Sequence, residues 1–204
     1  MNNVAERAQN FLALHSDPKL LKVVNVWDAI STRVVAGVEG ILGVATASHS
    51  IAAAYGYEDG ENIPVDLMID AVARIVAATH LPVTADLEAG YGNAGETIRR
   101  AIGVGVVGAN IEDQMKPLPE AVGVVEAVVA AGQAEGVEFV LNARTDAFIK
   151  AGDRPHAEVL ADAIERGSAY LAAGAPVVFV PGGVSEDDIV AIVDSWGPQK
   201  LTLI

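Results

Sequence analysis

PVTADLEAGYG, residues 82–92, joins a short β-type run to a glycine turn, and residues 94–104 after it carry helical periodicity. A strand feeding a turn and then a helix is the unit from which parallel sheets are built. Working outward, comparable runs stand at residues 23–27, 43–48, 82–87, 109–112, 139–144, 177–180 and 200–204. Helical stretches lie between them at residues 31–37, 65–79, 94–104, 119–134, 155–173 and 185–195. Two helix starts carry capping signals, Asn93 with Glu96 and Ser185 with Asp188. Strict alternation predicts a parallel sheet with right-handed crossovers. The runs VVNV (23–26) and VVFV (177–180) are apolar on both faces, as strands between a core and a helical layer must be. The expected fold class is therefore α/β, a (β/α)8 TIM-type barrel. Such barrels take roughly 250 residues. With 204 residues and seven strands, the chain reads as a single barrel domain, 1–204, truncated after the seventh strand, with its last β/α elements missing. The final LTLI reads as an interrupted strand whose open edge invites pairing.

Composition narrows the function. Thirteen basic against 27 acidic residues leave a formal charge of −14, which disfavours nucleic acid and anionic membrane as partners. Half of the chain is apolar (51%), enough for one core. No charge-free apolar run nears the roughly 20 residues of a membrane helix. The opening MNNVAERAQNF has an early acid and no apolar leader, so a cytoplasmic location is expected. Cysteine is absent, which removes disulfides, thiolate metal sites and thiol catalysis together.

Polar residues gather at predicted strand ends. Asp86 and Glu88 are two apart, as are Asn110 and Glu112, Asn142 and Arg144, Thr46 and Ser48, and Asn25 and Trp27. Period two places each pair on one face, and the C-terminal ends of strands are where α/β proteins build their sites. Asp86, Glu88 and Glu112 meeting one Arg144 leave excess negative charge, which raises carboxylate pKa values and is relieved by a divalent cation. Oxygen donors without His or Cys favour Mg²⁺, or Mn²⁺, over zinc. The plainer reading makes each acid a helix cap or a surface ion pair.

Other features compete for a role. Gly103–Gly108 matches G-x-G-x-x-G but lies between a helix and a strand, the reverse of the order phosphate binding needs. Gly90–Gly95 has the right order, with Glu112 and Asp113 about 20 residues on, as a nucleotide-cofactor oxidoreductase would. Asp86 and Glu88 just upstream would repel a pyrophosphate. His15, His80 and His156 lie near predicted helix ends, and His49 in a loop where the bland reading is favoured. Tyr55, Tyr57 and Asp59 occupy that same loop. Trp196 reads as packing.

NVWDAISTRVV (25–35), GYEDG (56–60), PVTADLEAGYG (82–92), NIEDQ (110–114) and NARTDA (142–147), in this order and spacing, resemble the isocitrate lyase/phosphoenolpyruvate mutase superfamily along essentially the whole chain. The resemblance implies a Mg²⁺-dependent barrel enzyme that stabilises the enolate of an α-keto acid. It makes Asp86 the principal metal-binding acid, with Glu88 and Glu112 in the metal shell mostly through water and Asp59 approaching it through water. Arg144 matches the arginine for the substrate's carboxylate and oxyanion end. Ser48, His49 and Ser50 match positions offering a hydroxyl and N–H groups to the substrate carboxylate, and Trp27 and Asp28 line the adjacent wall. The implied catalytic group is Arg144, Asp59 and Glu112. Homo-oligomer formation by the full-length form is expected from the same resemblance.

The departures shape the expected reaction. Family lyases for isocitrate and methylisocitrate use a cysteine loop after the fourth strand, where this chain has the short Gln114-Met115-Lys116-Pro117-Leu118. The mutases have a lysine-and-asparagine gating loop there and a histidine after the sixth strand. Here Lys116 alone could stand in, and Pro181-Gly182-Gly183 replaces the histidine. Glu88 replaces a commoner aspartate. The expectation is a Mg²⁺-dependent lyase of a small α-keto or 2-hydroxy carboxylate, oxaloacetate decarboxylase-like or cleaving a C–C bond, inert towards isocitrate, methylisocitrate and phosphonopyruvate. The rivals are the oxidoreductase at Gly90–Gly95 and a non-catalytic metal-binding barrel.

Overall fold

The computed structural model describes residues 4–204, so the first three residues of the leader reading lie outside the described residues. Seven parallel strands follow one another in chain order, β1 (Val24–Val26), β2 (Val44–Thr46), β3 (Val83–Asp86), β4 (Gly108–Glu112), β5 (Val140–Arg144), β6 (Val177–Phe179) and β7 (Leu201–Thr202). The sheet curls. Thr202 on β7 donates to Asn142 Oδ1 on β5 at 2.7 Å, a contact that skips β6 and is possible only if the inward side chains converge. The fold is thus α/β with a curled parallel sheet of the half-barrel type.

Eight helices among the described residues surround it: α1 (Val4–Ser16), α2 (Ala29–Ala36), α3 (Ser48–Ala54), α4 (Val65–Ala77), α5 (Ala94–Gly103), α6 (Leu118–Ala134), α7 (His156–Ala172) and α8 (Glu186–Trp196). None is long and apolar enough to cross a membrane. Alternate strand positions bury their apolar side chains, as Val83 and Ala85 or Ile111 and Ala143 do, while Asp86, Asn110, Glu112, Asn142 and Arg144 point to the partly open interior.

Two helices depart from expectation. α1 carries Ala8 and Phe11 on one face and plugs the end of the sheet opposite the strand C-termini. Phe11 is 1% exposed and lies where a Cβ on Gly43 or Gly108 would come within 3.1 or 3.2 Å of its ring. At Gly108 that Cβ would also stand 2.6 Å from the Val140 carbonyl oxygen, so only glycine lets β4 lie this close to β5. α3 cuts short the strand expected over residues 43–48, which ends at Thr46. Gly103–Gly108 is the α5-to-β4 turn, as its order implied.

Candidate active site

β3, β4 and β5 register Asp86 beside Asn110 beside Asn142, and Glu112 beside Arg144. These pairings bring Asp86, Glu112 and Arg144 to one mouth, whereas Glu88 lies beyond the end of β3 with a left-handed backbone, so strand alternation does not place it. Asp86 is held on both oxygens. Oδ2 accepts from Ser48 Oγ at 2.7 Å and Ser48 N at 3.2 Å, and Oδ1 accepts long bonds from Asn110 Nδ2 and Glu88 N, both 3.4 Å. Ser48 reaches Asp86 because it opens α3, and not by strand alternation with Thr46. Thr46 is buried and its hydroxyl accepts from Asp86 N at 2.9 Å.

Arg144 is clamped by two acids. Its Nη1 lies 3.0 Å from Glu112 Oε2 and its Nε donates to Asp146 Oδ1 at 2.7 Å. Asp146 is 1% exposed and also faces Lys150 Nζ at 3.4 Å. No hydrogen bond uses Arg144 Nη2 among the described residues, so that end of the fork is open to a ligand. Behind the clamp, Asp113 accepts from Asp146 N at 3.1 Å and Met115 N at 2.9 Å on one oxygen. Its other oxygen takes Arg166 Nη1 at 3.3 Å and Tyr170 OH at 2.7 Å. Asp146 and Asp113 lie inside the quoted motifs NARTDA and NIEDQ, but their support of Arg144, with Arg166 and Tyr170 behind, has no counterpart among the expected roles.

The remaining predicted residues are less tightly gathered. Asp28 caps α2, accepting from Ser31 N at 2.7 Å, in a full capping box that lowers its pKa. Trp27 is 46% exposed and its backbone N–H donates to Ser31 Oγ. His49 Nε2 and Ser50 Oγ lie 3.0 Å apart and touch none of the acids. Asp59 makes no side-chain bond to the cluster, but its charge is felt at Glu88.

Burial is the main reason that Glu88 and Glu112 have raised pKa values, and repulsion from Asp86 adds to it in both. Repulsion among the acids therefore acts in the expected direction but is the smaller cause. A carboxyl raised in the folded state binds protons more readily there than in the unfolded chain. Its contribution to stability therefore falls as pH climbs from the ordinary glutamate value through the raised one. In divalent-free buffer, Glu112→Gln is expected to flatten the fall in melting temperature over that window, and equal pH slopes in both proteins would rule this out.

The glycine turn is filled by its own chain. A Cβ at Gly90, where φ is +92°, would lie 2.5 Å from the Ala94 Cβ. Tyr91 N–H is bonded to Glu61 Oε1, Asn93 N to Gly90 O, and Glu96 N to Asn93 Oδ1. With Glu61 and Glu88 facing it, this turn has neither the free donors nor the charge for a pyrophosphate.

Among the described residues no three Asp, Glu or His side chains converge tightly enough to hold a metal directly. The donor chemistry nonetheless fits a hard cation held largely through water. All donors are oxygens, and Asn110 Oδ1 is buried beside Asp86 with no partner. Glu112 Oε1 has only Gln114 Nε2, at 3.5 Å.

The phosphoenolpyruvate phosphomutase family profile matches residues 11–204. An oxaloacetate decarboxylase of Rhodopseudomonas palustris (strain HaA2) is 32% identical over 181 residues, covering 84% of this chain and 62% of the relative. A 2-methylisocitrate lyase of Shewanella oneidensis is 36% identical over 152 residues, covering 67% of this chain and 47% of that protein. The chain thus spans about three-fifths or less of the length of these curated relatives. A crystal structure from Burkholderia cenocepacia J2315, assigned as a phosphonomutase, superposes with a TM-score of 0.91 at 39% identity, covering 98% of this chain and 83% of that one. A phosphonopyruvate hydrolase in complex with oxalate and Mg²⁺ shares the fold at a TM-score of 0.83 and 22% identity, covering 97% and 71% of the two chains.

Proposed function

We propose that this chain, which belongs to the phosphoenolpyruvate phosphomutase family, forms the barrel-type domain of a Mg²⁺-dependent carbon–carbon lyase or decarboxylase for a small α-keto or 2-hydroxy carboxylate. Oxaloacetate is the first substrate to test. The observation that carries this reading is Arg144, fixed by Glu112 and Asp146 with Nη2 open, at the same mouth as Asp86, Ser48 and Asn110.

The residues divide the work. Asp86 and Glu112, with the orphaned Asn110 Oδ1, would hold the cation largely through water. Bound there, Mg²⁺ would act as a Lewis acid towards a chelating α-keto carboxylate. Arg144 Nη2 donates where negative charge accumulates as the bond to C3 breaks, and its clamp fixes that donor before reaction. The first-turn amides of His49 and Ser50 suit a carboxylate, since Ala47 offers α3 no side-chain cap. In decarboxylation the electron pair of the breaking C3–C4 bond stays with the three-carbon enolate, C4 leaves as CO₂, and C3 then takes up a proton from water. No cysteine is needed for that sequence, whereas the resemblance assigns one to methylisocitrate cleavage.

The test is oxaloacetate decarboxylation measured above a metal-only control, because free Mg²⁺ also promotes it. A wild-type rate equal to the control would favour the non-catalytic metal-binding barrel. Mg²⁺ or Mn²⁺ should also raise the melting temperature, corresponding to about 2.7 kcal/mol at a hundredfold excess over Kd. Asp86→Asn is expected to abolish that rise. An equal rise in both proteins would take Asp86 out of the site.

A further inference from the structure

Glu88 stands at the strand end from which a carboxylate reaches the mouth, yet both of its oxygens already have donors. Oε1 accepts from Tyr91 OH at 2.9 Å, and Oε2 accepts from the backbone N–H of Glu61. Glu61 answers with its own side chain, whose Oε1 accepts from the backbone N–H of Tyr91. The three bonds close a ring between two segments about 30 residues apart in sequence. All three residues sit in the left-handed region, with φ of 61°, 53° and 54° for Glu61, Glu88 and Tyr91. Non-glycine residues stay there only where their surroundings hold them. Glu88 is 4% exposed, so water does not readily replace its partners.

We propose that Glu88, Tyr91 and Glu61 form a latch that pins the loop of residues 57–63 to the β3–α5 turn, and that Glu88 positions this loop instead of ligating the cation directly. The second half rests on the metal reading above; the first does not. The latch fixes Asp59, two residues from Glu61 on the same loop, at the edge of the mouth. Arm length is central to it. An aspartate at position 88 is one methylene shorter and cannot span both Tyr91 OH and the Glu61 amide from the same backbone.

Hydrogen exchange on the metal-free protein tests the latch. In Glu88→Asp and in Tyr91→Phe, the Glu61 amide is expected to exchange at least tenfold faster than in wild type, with β4 amides unchanged. Unchanged Glu61 exchange in both variants would overturn it. Mn²⁺ binding, read by paramagnetic resonance, tests the positioning role. Glu88→Gln is expected to keep its affinity within about threefold, and a loss of tenfold or more would make Glu88 a ligand. Should Glu88→Gln fail to fold, Tyr91→Phe decides the point. It frees one Glu88 oxygen, so unchanged affinity supports the role and a tenfold gain overturns it. If wild type binds no Mn²⁺, the metal reading fails by itself, while exchange still decides the latch.

Discussion

Arg144→Ala is expected to slow metal-dependent oxaloacetate decarboxylation by roughly 10²–10³, the usual cost of losing a preorganised donor to developing negative charge. The loss should fall mainly on kcat, because the donor strengthens its interaction as charge moves off the breaking bond. Arg144→Lys should also be slow. An ammonium is a point charge and cannot bond Glu112 and Asp146 while keeping a third donor aimed at the substrate. The metal-induced rise in melting temperature should survive in both variants, since Arg144 holds the acids and not the cation. An alanine variant as fast as wild type above the metal-only control would sink the assignment of Arg144. Loss of the metal response together with the rate would instead show that the clamp organises the cation site.

The parallel sheet and the mouth were legible because their signals are local. Asp86, Asn110, Glu112, Asn142 and Arg144 sit at period-two positions of short apolar runs, and parallel register aligns them without further information. Of the two grounds for placing Ser48 at the mouth, strand alternation and the family resemblance, the first was incorrect. The run to residue 48 looked like a strand, whereas Ser48 opens α3 and bonds Asp86 from a helix start. α1 is not among the expected helices, although Val4, Ala8, Phe11 and Leu12 recur at helical spacing. Of the two capping signals read in the sequence, Ser185 and Asp188 make a full box. Asn93 and Glu96 make only half of a box, because the Glu96 carboxylate turns to Arg99. Asp28 and Ser31 make a full one that nothing had singled out. The Glu61–Glu88–Tyr91 ring was hidden for a different reason. It depends on a loop folding back across 27 to 30 residues and on three left-handed backbones, neither of which leaves a pattern in composition or periodicity.

Asp113→Ala should be the most damaging substitution for stability near the site, at about 3–5 kcal/mol, the cost of breaking a buried charged pair by removing one partner. Asp113 is 6% exposed and accepts four bonds, from Met115 N, Asp146 N, Arg166 and Tyr170. Without it Arg166 keeps Asp162 Oδ1 and the Lys116 carbonyl, but Tyr170 OH is left buried without an acceptor. At about 2–4 °C per kcal/mol for a chain of this size, the melting temperature should drop by about 6–20 °C. Asp113→Asn keeps the shape and one acceptor while removing the charge, and should fall between alanine and wild type. Tyr170→Phe removes a single neutral donor and should cost least. The effect should also reach the chemistry, since Asp113 orients the backbone of Asp146, which in turn holds Arg144 Nε. Decarboxylation measured well below the lowered melting temperature should therefore lose kcat in the order alanine, asparagine, phenylalanine. A melting temperature for Asp113→Ala within about 2 °C of wild type would mean less than roughly 1 kcal/mol is at stake, and the network could not then be what holds the Arg144 clamp in place.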